Sequence, residues 1–233
     1  MMEMKLIKCL LTKNDCYKAG KKITPKGVMI HSTGANNPNL KRYVQPNIEG
    51  IGKNQYNNDW NRPGITKCVH AFIGKLQNGD IATVQTLPWN HRGWHCGKSG
   101  NDTHISFEIC EDNLKDAAYF KKVYQEAVDL CAFLCKEYNL DPMDDILCHY
   151  EGYRKGIASN HGDVEHWFPK HGKTMDNFRA DVKAAMKPVP ATGKAESGKY
   201  YRVQLGAFSQ KANADKLAKE LKAKGYDTII KYY

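Results

Sequence analysis

Apolar positions along the first 186 residues change their period several times, and each period predicts an element. "GVMIHST" (27–33) is a continuous apolar run opened by Gly27. It predicts a buried strand that delivers His31 near its C-terminal end. "VHAFIGKLQNGDIATVQ" (69–85) reads as two strands joined around Asn78-Gly79, a pair favoured in hairpin turns. In "HISFEIC" (104–110), Ile105, Phe107 and Ile109 alternate with Ser106, Glu108 and Cys110, as on a strand with one apolar face. From Asn113 to Tyr138 the spacing becomes helical, through Phe120, Val123, Tyr124, Ala127, Cys131, Leu134 and Tyr138, with Pro142 just past the end. Ile146-Leu147-Cys148 is a short buried element leading to His149. Thr174 to Met186 predicts a last helix with Met175, Phe178, Val182 and Ala185 on one face. Strands and helices alternate irregularly, so the expected class is α/β, a mixed central sheet flanked by helices.

Beyond residue 186 the pattern breaks. "KPVPATGKAESGK" (187–199) has no apolar periodicity and reads as a linker between a domain at 1–186 and a small unit at 200–233. In that unit Tyr201, Val203 and Leu205 alternate with Arg202 and Gln204. Ser209 is placed to cap a helix bearing Ala214, Leu217, Ala218 and Leu221, and Gly225 to close it. "YDTIIKYY" then reads as a second strand, giving one βαβ unit.

Charge adds a partner class. The chain carries a formal net charge of +10, and residues 187–233 hold ten Lys/Arg against four Asp/Glu, a net of +6. Such a tail suits nucleic acid, a membrane surface or an anionic wall polymer. No apolar run approaches the ~20 residues of a membrane span, so membrane insertion is not expected. No nucleic-acid motif is present, and the stacking aromatics such a site needs are not interleaved with the basic residues of 211–224. The apolar patch from Leu6 to Leu11 is interrupted by Lys8 and followed by no small-residue cleavage site, which predicts no signal peptide. Eight cysteines are scattered without a paired CxxC, and the expectation is reduced, buried thiols.

"CHYEGYRKGIASNHGDVEHWFPKHG" packs four histidines and three carboxylates into residues 149–171. A catalytic zinc takes three protein ligands and keeps a fourth position open. His31 and His149 each end a buried element, where a sheet gathers distant residues into one site. With an acidic loop downstream, the pair points to a metal.

The ordered motifs "VMIHSTG", "VHAFIG…NGDI", "GWHCG", "ISFEIC" and "CHYEG…HGDVEHWFP" resemble the type-2 N-acetylmuramoyl-L-alanine amidases, from about residue 25 to 185. That family shares its fold with peptidoglycan-recognition proteins, and the motifs also resemble those of phage and prophage endolysins of Gram-positive bacteria. The resemblance implies Zn²⁺-dependent hydrolysis of the amide between N-acetylmuramic acid and L-alanine in bacterial peptidoglycan, the alternative being a non-catalytic peptidoglycan-binding module. It implies His31, His149 and Asp163 as metal ligands, with His161 and His166 as alternatives for the third. Glu108 is implied as the group acting on the attacking water. His161, standing where relatives carry Lys, is implied as the oxyanion donor, and His70, Trp94 and His95 as lining the substrate groove. The tail resembles the first half of a SPOR repeat, a glycan-binding unit, and a half-repeat is expected to pair with a second copy, pack on the catalytic domain or be a truncated remnant. The expected location follows: synthesis in the cytoplasm without a signal peptide, and action at the cell wall after release.

Overall fold

The computed structural model describes residues 4–187, 205–224, 226 and 228–231. The chain divides into two compact units, Met1–Val189 and Pro190–Tyr233.

The first unit is built on one six-stranded sheet. Its strands are β1 (Leu6–Lys8), β2 (Gly27–Ser32), β3 (Ala71–Lys75), β4 (Ile81–Gln85), β5 (His104–Ile109) and β6 (Ile146–Cys148), in the order β1-β4-β3-β5-β2-β6. The hairpin β3–β4 is antiparallel and every other neighbouring pair is parallel, so the sheet is mixed as expected. The hairpin turns where the Asn78-Gly79 pair predicts, with Gly79 in the left-handed region at φ 87°. Gly27 opens β2 for a different reason: a Cβ there would sit 2.6 Å from the backbone oxygen of Asp145, which leads into the neighbouring β6.

Side-chain alternation divides the sheet into two faces. Val28 and Ile30 of β2, Ala71 and Ile73 of β3, and Ile105, Phe107 and Ile109 of β5 pack against two helices, α2 (Ala117–Tyr138) and α4 (Met175–Met186). Asp116 caps α2 by accepting from Tyr119 N–H, so that helix starts four residues after Asn113. Thr174 and Asn177 form a capping box at the start of α4. The opposite face carries Met29 and His31 of β2, Phe72 of β3, and Ser106 and Glu108 of β5. It is covered too, which is why all six positions of β2 are buried. Phe72 belongs to a second apolar cluster with Leu40, Tyr43, Val44 and Val84, and Met29 to a third with Cys96 and Ala158.

Three short elements escaped the periodicity: β1, and the helices α1 (Asp15–Ala19) and α3 (His149–Arg154). The expectation of reduced thiols is corrected at one pair. Asn14 donates to the carbonyls of Trp60 and Lys67, tying α1 to that segment, and Cys16 and Cys68 are joined as a disulfide across 52 residues. Cys9, Cys96, Cys110, Cys131, Cys135 and Cys148 are free and buried.

The second unit contains α5 (Lys211–Ala223), on the residues whose spacing predicts it. Its N-cap is Gln210 rather than Ser209, with no side-chain capping bond. Residues 205–208 and 228–231 are not in strands, so the βαβ reading is reduced, among the described residues, to its helix. The first expected strand through residue 204, the linker from 188 to 199, and Gly225 lie outside the described residues. Among the described residues no helix is long and apolar enough to cross a membrane.

Candidate metal centre

The site forms where the second sheet face meets the chain leaving β6. His31 and Glu108 are directly opposite partners on β2 and β5, and period-two alternation points both away from the α2 side. His149 begins α3 immediately after β6. Its placement is secured by Glu151, which accepts from Cys148 N–H at 3.0 Å, and by Arg179 of α4. Arg179 donates twice to Glu151, at 2.9 and 3.0 Å, and once to the Ile146 carbonyl at 3.1 Å. This fork clamps the β6–α3 junction from behind.

Asp163 arrives on the loop that follows α3. The chain reverses at Val164, whose φ of 47° is strained for a β-branched residue and whose side chain is fully buried in the main core. His166 pins the same loop: Nε2 donates to Glu111 Oε1 at 2.8 Å, and its other ring nitrogen lies 3.2 Å from the Gly162 carbonyl. This leaves His166 outside the cluster and engaged elsewhere.

Three atoms converge. His31 Nδ1 and His149 Nδ1 are 3.0 Å apart, and Asp163 Oδ2 is 3.2 Å from each. Ligand atoms around a tetrahedral zinc at about 2.0–2.2 Å are separated by roughly 3.3–3.5 Å, so these separations fit one small ion. Two imidazoles and one carboxylate are also a donor set that zinc accepts. Among the described residues this is the group of three able to hold a metal. Burial lowers the pKa of His31 against the opposing pull of Asp163, keeping the ring neutral as a ligand must be. Burial pushes the Asp163 carboxyl up, but hydrogen bonds from His149 and His31 outweigh it and hold it below the usual carboxylate range.

The far nitrogens of both histidines are backed by partners. His31 Nε2 lies 2.9 Å from His95 Nδ1, and His149 Nε2 lies 3.2 Å from Ser159 Oγ, which is 3.1 Å from His161 Nδ1. The His161 ring is exposed, with its centroid 4.7 Å from that of His149. Glu108 is half-buried as a residue, yet its Oε2 is out of solvent and without a hydrogen-bond partner. Burial raises its pKa well above the ordinary glutamate value, and Asp163 and Glu111 raise it further.

The residues expected to line a groove separate into three situations. Trp94 is exposed, with Arg92 stacked on its ring at 5.1 Å. His95 supports His31 from behind. His70 does not line a groove: it is fully buried, bonded to Ser106 and to the His91 carbonyl, and burial lowers its pKa to about 4. Its place just before β3, facing Ser106, makes it a satisfied core histidine. Ser159 and Glu111 were missed by the sequence reading. Neither carries a spacing signal, because each meets its partner only through the path of a loop.

Residues 21–167 match the family described as N-acetylmuramoyl-L-alanine amidase (Amidase_2), and residues 197–233 match the SPOR domain. The sporulation-specific N-acetylmuramoyl-L-alanine amidase of Bacillus subtilis (strain 168) is 54% identical over 37 residues, which are 16% of this chain and 14% of that protein. The N-acetylmuramoyl-L-alanine amidase BlyA of the same organism is 22% identical over 156 residues, covering 59% of this chain and 39% of BlyA. The chain thus spans well under half the length of either relative. The Staphylococcus aureus hydrolase AmiA, solved in complex with its ligand, superposes with a TM-score of 0.55 at 21% identity, over 80% of this chain and 85% of that one. At that identity the likeness is one of fold. Because its match to the first family spans more than half of its length, the chain belongs to the N-acetylmuramoyl-L-alanine amidase family and carries a SPOR segment behind the amidase domain.

Proposed function

We propose that the protein is a zinc-dependent amidase that cleaves the bond between N-acetylmuramic acid and the first L-alanine of the peptide stem in bacterial peptidoglycan. The observation carrying this reading is the convergence of His31 Nδ1, His149 Nδ1 and Asp163 Oδ2 beside the unpartnered carboxyl oxygen of Glu108. His31, His149 and Asp163 would hold the ion, which when bound would supply Lewis acidity to the scissile carbonyl and lower the pKa of water to about 7.

Glu108 takes the proton of the attacking water and passes it to the leaving amine. An ionised carboxylate serves as base for the first transfer and, once protonated, as acid for the second. His161 donates an N–H to the carbonyl oxygen as negative charge develops there, the role for which relatives use Lys. Trp94 offers an exposed aromatic face to the substrate next to His95. The basic tail adds attraction to an anionic wall, where the protein acts after release from the cell.

The test is digestion of purified cell walls followed by mass spectrometry of the products. Released stem peptides should begin with a free L-alanine amine, chelation should stop the release, and Zn²⁺ should restore it. Wall binding without any new amine would make the chain a binding module instead.

A further inference from the structure

Ser159 is held firmly although it lies on a loop. Its backbone N–H donates to the Cys96 carbonyl at 2.8 Å, and Ala158 before it is fully buried with Met29 and Cys96. Gly97 approaches so closely that a Cβ there would lie 3.3 Å from Ser159 Oγ. The hydroxyl is therefore fixed between two imidazoles, 3.2 Å from His149 Nε2 and 3.1 Å from His161 Nδ1.

A serine hydroxyl has one proton to give and two lone pairs to receive with. His149 turns Nδ1 to His31 and Asp163, so with that lone pair committed to a metal its proton resides on Nε2 and is donated to Ser159 Oγ. The serine's own proton is then directed to His161 Nδ1. A neutral imidazole that accepts at Nδ1 carries its proton on Nε2.

We propose that Ser159 is a positioning residue that holds His161 in the Nε2–H tautomer, so that the exposed ring presents its Nε2–H to the carbonyl oxygen of the substrate. This rests on the amidase reading above, because it needs His149 to be a ligand through Nδ1. It also accounts for how a histidine serves where relatives place a lysine. Lysine carries its donors without help, whereas a histidine has two tautomers, and only the one bearing the Nε2 proton leaves a donor free once Nδ1 is engaged by Ser159.

The experiment uses the zinc-loaded full chain labelled with ¹⁵N at histidine. In the wild type, long-range ¹H–¹⁵N spectra should show His161 Nδ1 as an acceptor nitrogen and Nε2 as a protonated one. Ser159→Ala should keep its zinc and thermal midpoint, mix the two tautomers at His161, and lower kcat by roughly 10–100-fold with little change in KM. Ser159→Thr, which keeps the hydroxyl, should restore both the tautomer and the rate. A Ser159→Ala protein with an unchanged tautomer and rate overturns the inference. So does one that loses zinc, since the bond to His149 would then be what holds the metal site and the His161 tautomer would not be the cause of the loss, and so does a folded, zinc-loaded Ser159→Thr that fails to recover. If zinc-loaded wild type frees no stem peptide from walls, the amidase reading itself falls and takes this inference with it.

Discussion

Glu108→Gln should yield a protein that is more stable without metal and nearly inert with it. Glu108 Oε2 is out of solvent and unpartnered, and burial, with Asp163 and Glu111, raises the carboxyl pKa well above its ordinary value. The folded chain therefore favours the protonated acid, while the unfolded chain ionises at about 4.3. Between that value and the raised one the folded state binds more protons than the unfolded state, so stability falls as pH rises, by at most about 1.4 kcal/mol per pH unit. Glutamine has no such dependence. Urea denaturation of the chelated proteins across pH 4–8 should then show a stability difference that is flat at the acid end and grows in favour of the variant above the unfolded pKa. Turnover of the zinc-loaded variant on soluble muropeptides should drop by about 10²–10⁴-fold, the usual contribution of a general acid–base group. A stability difference independent of pH would mean that Glu108 is solvated. A near-normal rate would remove it from the mechanism.

The loop residues should fail in different ways. Asp163→Ala should lose zinc by elemental analysis, while His161→Ala should keep zinc and lose about 10²–10³ in rate, as other oxyanion donors do. A metal-free His161→Ala would exchange the two assignments. Arg179→Ala leaves Glu151 without its fork and should cost about 2–3 kcal/mol in urea denaturation, below the 3–5 of a fully buried pair because Glu151 keeps some solvent; an unchanged midpoint would show that the clamp adds nothing. A chain ending at Met186 should still fold, load zinc and cut soluble muropeptides. It should bind whole walls less well, and a purely electrostatic share of that loss should fade as salt rises; equal wall binding would leave the tail without this role.

How legible each part was in the sequence follows from what fixes it. His31, Glu108 and His149 were legible because a strand's own alternation or end decides where its residues face, and these three sit on β2, β5 and the end of β6. α2 and α4 were legible for the same reason at helical period, α4 to within its capping residue and α2 to within four residues at its start. α3 was not: its six residues carry no apolar period, and it owes its start to Glu151 and to an arginine 28 residues away. β1 was invisible because only Ile7 of its three residues is buried. His70 was misread because a histidine beside a strand looks alike whether it faces substrate or, as here, the hydroxyl and N–H of Ser106 in the sheet. The disulfide depended on the Asn14 contacts that bring Cys16 to Cys68, and no spacing encodes those.

The division between strand and loop also bears on how the site works. Glu108, the proposed proton-transfer group, and His31 sit on paired central strands, where register fixes them opposite each other. Asp163 and His161 come from a loop that reaches them only through a strained reversal at Val164 and the bond from His166 to Glu111. The two outer supports are themselves joined, since His95 backs His31 and the Cys96 carbonyl next to it holds the N–H of Ser159, which backs His149. A shift of the 95–97 segment would therefore move the partners of both histidines together, which ties the orientation of the cluster to one segment rather than two. That segment begins beside the exposed ring of Trp94, so a substrate bound there as proposed would lie next to the support of both rings.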